Sequence, residues 1–243
     1  MLRQIKEDVR VALEKDPAAR NFFEVLILYP GVHALIGYRL SHGLWNMGFK
    51  FLARTISQFF RWITGIEIHP AAKIGHRFFI DHGMGVVIGE TSEVGDNVFI
   101  YHGVTLGGLA TKKAKRHPTI SDNVVIGAGA QVLGPIYVGR NTKIGSGSVV
   151  LQDVPEYSTV IGVPGRVVFS GTSSDMEDDE GLESFPDPVA RAIECMLDRL
   201  PQMEKEIRQL KEILGQKGID SAPSKPVEMD PSDIKRVSGQ SKS

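Results

Sequence analysis

The run ISDNVVIGAGAQVLGPIYVGRNTKIGSGSVV, residues 120–150, decides the fold. Ile120, Ile126, Val132, Val138, Ile144 and Val150 stand six apart along it. A helix would repeat its apolar positions about every 3.6 residues and a half-buried strand about every two, so neither explains this interval. Working outwards, Ile68, Ile74, Ile80 and Val86 keep the same spacing, and so do Ile88, Val94, Ile100 and Leu106. Gly75, Gly89, Gly95, Gly107, Gly127, Gly139 and Gly145 each follow such a position directly, as a tight corner favours. One inward aliphatic in every six residues describes one face of a triangular β-solenoid, three repeats to a coil, with coils stacked at roughly 4.8 Å. The register slips by two between Val86 and Ile88. It slips again over 107–119, where GGLATKKAKRHPT must in part loop out.

The rest of the chain frames this solenoid. Residues 1–66 read as a helical N-terminal domain, with Leu2, Ile5, Val9 and Leu13 at helical spacing. Asp16–Pro17 offers the N-cap and first residue of a second helix. Residues 67–170 form the solenoid, 171–186 an acidic linker, and 187–215 a helix with a heptad seam from Val189 to Leu214, interrupted at Pro201. Residues 216–243, rich in Ser, Lys, Pro and Asp, are expected to be disordered. The fold class is therefore α+β: a helical cap, a left-handed parallel β-helix and a C-terminal helical extension.

Composition narrows the function classes. The 28 basic residues against 29 acidic ones give a formal charge of -1, which makes no case for nucleic acid or an anionic membrane as partner. The single cysteine, Cys195, excludes an internal disulfide and fits a reducing cytosol. The N-terminus is charged from its third residue, against a secretory signal. FFEVLILY and FLARTISQFFRWITG are too short or carry arginine, so neither spans a bilayer. A cytoplasmic protein is expected.

Chemistry gathers around Asp81–His82, set in the otherwise glycine-rich and aliphatic run FIDHGMGVVIGET, residues 79–91. His82 and His102 each stand two residues after a core aliphatic, at comparable places on the solenoid, while His117 lies beside Arg116 in the protruding loop. Acyl transfer from a thioester to an alcohol needs a base near neutral pH, which histidine supplies, and a carboxylate to steady its imidazolium. Asp81 is adjacent. Glu67, fifteen residues before His82, falls three short of an 18-residue coil and comes near it across adjacent rungs. His33 and His42 read as packing or surface residues of the cap, His69 as structural, and His76 as a solvated corner residue.

The runs EIHPAAKIGHRFFIDHGMGVVIGETSEVGDNVFIYHGVTLGG, RHPTI, VVIGAGAQVLGPIYVG and IGSGSVVLQDVP…GVPGRVV resemble the serine O-acetyltransferase family, from about residue 15 to Val168. The resemblance implies transfer of acetyl from acetyl-CoA to L-serine in cysteine biosynthesis, with no metal. It assigns His82 as general base and places Glu67 where the family has its partner aspartate. It gives Asp16 and Asp81 to the serine ammonium, and Arg116 and His117 to its carboxylate. Coenzyme A would lie between neighbouring solenoids along Gly107, Gly108 and Ala128, with Lys143 and Arg166 as phosphate contacts and the Gly108 N–H as oxyanion donor. His102 is the rival base. The position of Cys195, far from the histidines, argues against an acyl-cysteine intermediate.

The family also implies feedback inhibition by L-cysteine and sites shared between subunits of a homotrimer, with a hexamer as the alternative. Many members end in isoleucine, which docks into O-acetylserine sulfhydrylase. This chain ends SGQSKS, so that complex is not expected. Two other readings stay open on the sequence: a sugar O-acetyltransferase of the same repeat class, and a zinc lyase of the carbonic anhydrase type with His82, His102 and His117 as ligands. A non-catalytic scaffold built on the heptad helix is a third.

Overall fold

The computed structural model describes residues 2–111 and 113–170. The linker, the heptad helix and the tail expected over 171–243, with Cys195, lie outside the described residues. Four helices come first: α1 (Leu2–Lys15), α2 (Phe22–Leu28), α3 (Pro30–Asn46) and α4 (Lys50–Thr64). A first coil follows of β1 (Glu67–Ile68), β2 (Lys73–Ile74) and β3 (Phe79–Ile80), then a second of β4 (Val87–Ile88), β5 (Glu93–Val94) and β6 (Phe99–Ile100). The third holds β7 (Thr105–Gly107), β8 (Thr119–Ile120) and β9 (Val125–Ile126), and the fourth β10 (Gln131–Leu133), β11 (Tyr137–Val138) and β12 (Lys143–Ile144). β13 (Val149–Val150) opens a fifth coil, which β14 (Ser158–Ile161) and β15 (Arg166–Ser170) close as an antiparallel pair.

Strands three apart in sequence pair in parallel and build three faces. Face A is β1-β4-β7-β10-β13, face B is β11-β8-β5-β2, and face C is β15-β14-β12-β9-β6-β3. The aliphatics predicted from the six-residue interval stack inside as one core, with Ile88, Ile100, Leu106, Ile126, Val132 and Ile144 wholly buried. The corners are as regular as the faces. Between faces C and A run Gly85, Gly103, Gly129 and Gly147, with φ of 78, 69, 68 and 68°. Between faces B and C run Arg77, Asn97, Asn123, Asn141 and Tyr157, with φ of 53–58°. That left-handed conformation is one asparagine tolerates better than most side chains.

The helices are placed by aromatic residues on the outside of face C. Phe79 and Phe99 point away from the solenoid core and are buried instead among Val9, Val11, Ala12, Val25 and Val32. α3 and α4 close the first coil: Ala34, Leu35 and Tyr38 join the solenoid core, and the Tyr38 hydroxyl donates to the Ala72 carbonyl at 2.8 Å. Ser57 does the same to the Ile68 carbonyl at 2.8 Å. α1 is held by a two-pronged ion pair between the buried Asp8 and Arg39 of α3, at 2.6 and 2.9 Å.

Two expectations are corrected. Val86 is buried but lies in a corner, and the strand position is Ile88, which pairs with Ile68 below and Leu106 above. Asp16–Pro17 does not begin a helix. Its chain turns, with the Ala18 N–H on Asp16 Oδ1 at 2.8 Å, and α2 starts at Phe22 under an Asn21 cap whose side chain accepts from Glu24 N–H at 3.0 Å.

Candidate active site

Two clusters of polar side chains form at the two ends of face A. The first is the corner between Ile80 and Ile88. Asp81 N–H donates to the Ile100 carbonyl and Gly103 N–H to the Met84 carbonyl, so Asp81 lies beneath Tyr101 and Met84 beneath His102. His82 and Gly83 are thus two extra residues in this corner. Both have positive φ, 56° and 74°. A histidine there is strained, at a cost of about 1–3 kcal/mol, and such strain gathers at functional positions. His82 and His102 are therefore not equivalent in register, as their spacing after Ile80 and Ile100 had implied. Their rings are nevertheless neighbours, with centroids 5.9 Å apart.

His82 Nε2 stands 3.7 Å from Asp81 Oδ2, with the imidazole largely exposed and the carboxylate mostly covered. Burial pushes the Asp81 carboxyl above its ordinary range and Asp16 adds to that, while the His82 and His102 rings oppose it. Asp16 is carried to this corner by the turn after α1. Its Oδ2 accepts a hydrogen bond from the Tyr29 hydroxyl at 2.5 Å. Tyr29 sits between α2 and α3, and its hydroxyl is pushed up to about 12, by burial first and then by Asp16. Glu67 does not reach the imidazole in this chain: its carboxylate pairs with Arg61 Nε at 3.2 Å and lies outside ion-pair distance of His82.

The second cluster lies where the 107–119 loop folds back on the corner after β4. His117 is buried and Arg116 partly so. The Arg116 guanidinium meets Glu90 at 2.8 Å. Thr91 holds both residues: its Oγ1 accepts from the Arg116 and His117 N–H groups, each at 3.1 Å, and lies 2.8 Å from His117 Nδ1. The Thr91 N–H donates to the same Nδ1 at 3.1 Å. Lys115 caps the Thr91 carbonyl at 2.7 Å. Burial holds the His117 ring below its ordinary value and Arg116 adds to it. Gly89 leaves the ring its space, since a methyl there would collide with the imidazole.

The other expected positions divide between these corners. Gly107 ends β7 and Gly108 backs onto Arg116 and His117, where an added Cβ would come within 3.2 Å of His117 Nε2. Ala128 is half-buried one rung above His102. Lys143 lies on β12 and the exposed Arg166 on β15, both on face C. Sequence reasoning missed Tyr29, Glu90 and Thr91. Glu90 and Thr91 lie in a stretch singled out for other residues, and only the return of a distant loop gives them partners. Among the described residues no group of three His, Cys, Asp or Glu is arranged to hold a metal ion, and no helix is long and apolar enough to cross a membrane.

Residues 117–152 match the bacterial transferase hexapeptide (six repeats) family. A serine acetyltransferase of Bacillus licheniformis is 55% identical over 215 residues, 88% of this chain and 96% of that protein. The chain belongs to the serine acetyltransferase family. Members of that family are acyltransferases, and this chain is an acyltransferase with them. Solved relatives match about two thirds of the chain. The Neisseria gonorrhoeae serine acetyltransferase in complex with serine is 42% identical, with a TM-score of 0.66 over 68% of each chain. The Brucella abortus serine acetyltransferase in complex with coenzyme A is 41% identical, with a TM-score of 0.67 over 70% of this chain and 68% of that one.

Proposed function

We propose that the chain transfers acetyl from acetyl-CoA to the hydroxyl of L-serine, giving O-acetyl-L-serine and coenzyme A, and that His82 is the general base. The observation that carries this is the Asp81–His82 pair on a corner lengthened for it, with Asp16 brought alongside by α1. His82 takes the hydroxyl proton as the serine oxygen attacks the thioester carbonyl carbon. The C–S bond then breaks, and the departing thiolate recovers that proton from the imidazolium. Asp81 and Asp16 bind the serine ammonium. Arg116 and His117 take the carboxylate, for which a guanidinium fork and a ring N–H are apt donors.

The two clusters stand at opposite ends of face A in one chain, which is why a complete site needs a neighbour. A trimer supplies one, joining the His82 corner of one subunit to the Arg116–His117 corner of the next. Coenzyme A lies in the groove between them along Gly107, Gly108 and Ala128, with Lys143 and Arg166 toward its phosphates. The Gly108 N–H faces the developing oxyanion. L-Cysteine shares the ammonium and carboxylate of serine and competes for the same place. These roles suit a cytoplasmic enzyme of cysteine synthesis.

The test is coenzyme A release from acetyl-CoA with L-serine as acceptor, comparing wild type with His82→Ala. The variant is expected to lose at least about 100-fold in kcat while still binding coenzyme A, the range for removal of a general base. A variant that stays active transfers the role to His102. A wild type that ignores serine but acetylates galactosides overturns the acceptor assignment.

A further inference from the structure

The geometry points to Thr91 as the positioning residue of the serine-carboxylate pocket: it fixes the His117 ring as its Nε2–H tautomer and ties that ring to Arg116. This rests on the reading of Arg116 and His117 as carboxylate ligands. A backbone amide only donates, so the Thr91 N–H on His117 Nδ1 at 3.1 Å requires a bare lone pair on that nitrogen. The neutral ring therefore carries its proton on Nε2, the atom nearest Gly108 and directed away from Thr91.

The Thr91 hydroxyl completes the arrangement. Its oxygen accepts from the Arg116 and His117 amides at 3.1 Å each, which leaves its own proton, 2.8 Å from Nδ1, to share that one lone pair with the Thr91 N–H. One side chain thereby satisfies two consecutive loop amides and the buried face of the imidazole. The consequence is specific. Two donors are held for an anion, the His117 Nε2–H and the guanidinium N–H groups that Arg116 keeps beyond its 2.8 Å contact with Glu90, and the loop that carries them is closed onto the corner after β4.

Steady-state kinetics of the full-length Thr91→Val and Thr91→Ser enzymes test this, together with 15N NMR of histidine-labelled wild type. Valine should raise KM for L-serine about tenfold while KM for acetyl-CoA stays within about twofold, the range for losing one or two orienting hydrogen bonds. Serine, which keeps the hydroxyl, should restore the wild-type KM. The His117 resonances should show a protonated Nε2 and an unprotonated Nδ1. Equal rises in both KM values, failure of serine to restore, or a protonated Nδ1 in the neutral ring would each overturn the assignment. A wild type without serine turnover removes the pocket reading instead, and the tautomer measurement still decides whether Thr91 sets the ring.

Discussion

At the scale of single residues, two imidazoles partly or wholly withdrawn from solvent, His69 and His117, link the site to stability. His69, edge-on to Trp45, is lowered to about 4, first by burial and then by Arg54. His117 is lowered by burial too. In the unfolded chain such rings take up a proton near their ordinary value of 6.5, while the folded protein keeps them neutral. The stability they confer is therefore complete above pH 6.5 and lost as the pH falls, down to about 4 for His69. Thermal melts of wild type and His69→Gln from pH 7 to 4 should show Tm falling less steeply in the variant, whose amide does not titrate. Parallel curves would sink this account. The sequence marked His69 as structural, and it does accept the Ala71 N–H at 3.0 Å. Its depressed basicity was not legible, because Arg54, His117 and Arg116 approach it only in the fold.

At the scale of elements, the placement of α1 decides whether Asp16 reaches Asp81. The Asp8–Arg39 pair that anchors α1 is almost fully covered, and burial raises the Asp8 carboxyl despite the guanidinium beside it. Removing one partner of a buried pair leaves an uncompensated charge and costs about 3–5 kcal/mol. Arg39→Met should therefore lower the unfolding free energy by that amount, measured by urea titration at pH 7. It should also raise KM for serine as α1 loosens. Asp8→Asn combined with Arg39→Met should recover most of the loss, and a double variant as unstable as the single one would refute the charge argument. The strands were read from sequence because each places one aliphatic inward. The first coil was misread because Val86, a buried corner residue, happens to stand six after Ile80. Asp16–Pro17 mimicked a helix start for a similar reason: Asp before Pro suits a turn as well as a cap.

At the scale of the whole molecule, the proposed division of each site between neighbouring chains makes a prediction about mixtures. His82→Ala chains keep the Arg116 corner, and Arg116→Ala chains keep the His82 corner. In a trimer with shared sites, equal amounts refolded or co-expressed together should regain about a quarter of wild-type activity, since each mixed trimer holds one intact junction. Sites confined to single chains would give none. The helical cap, the solenoid and the residue types of both clusters were legible, since aliphatic spacing and a few charged residues survive without coordinates, while the C-terminal helix lies outside the described residues. The separation of the clusters was not, because it depends on which corner each occupies. One corner has a further meaning, for how such a molecule changes over generations. Beyond His82–Gly83 the ladder resumes in step, Ile68 against Ile88 and Ile88 against Leu106, as though nothing had been added. Insertions at a corner thus leave the interior untouched. A change in what this corner carries would leave the strand ladder and its buried aliphatics in register.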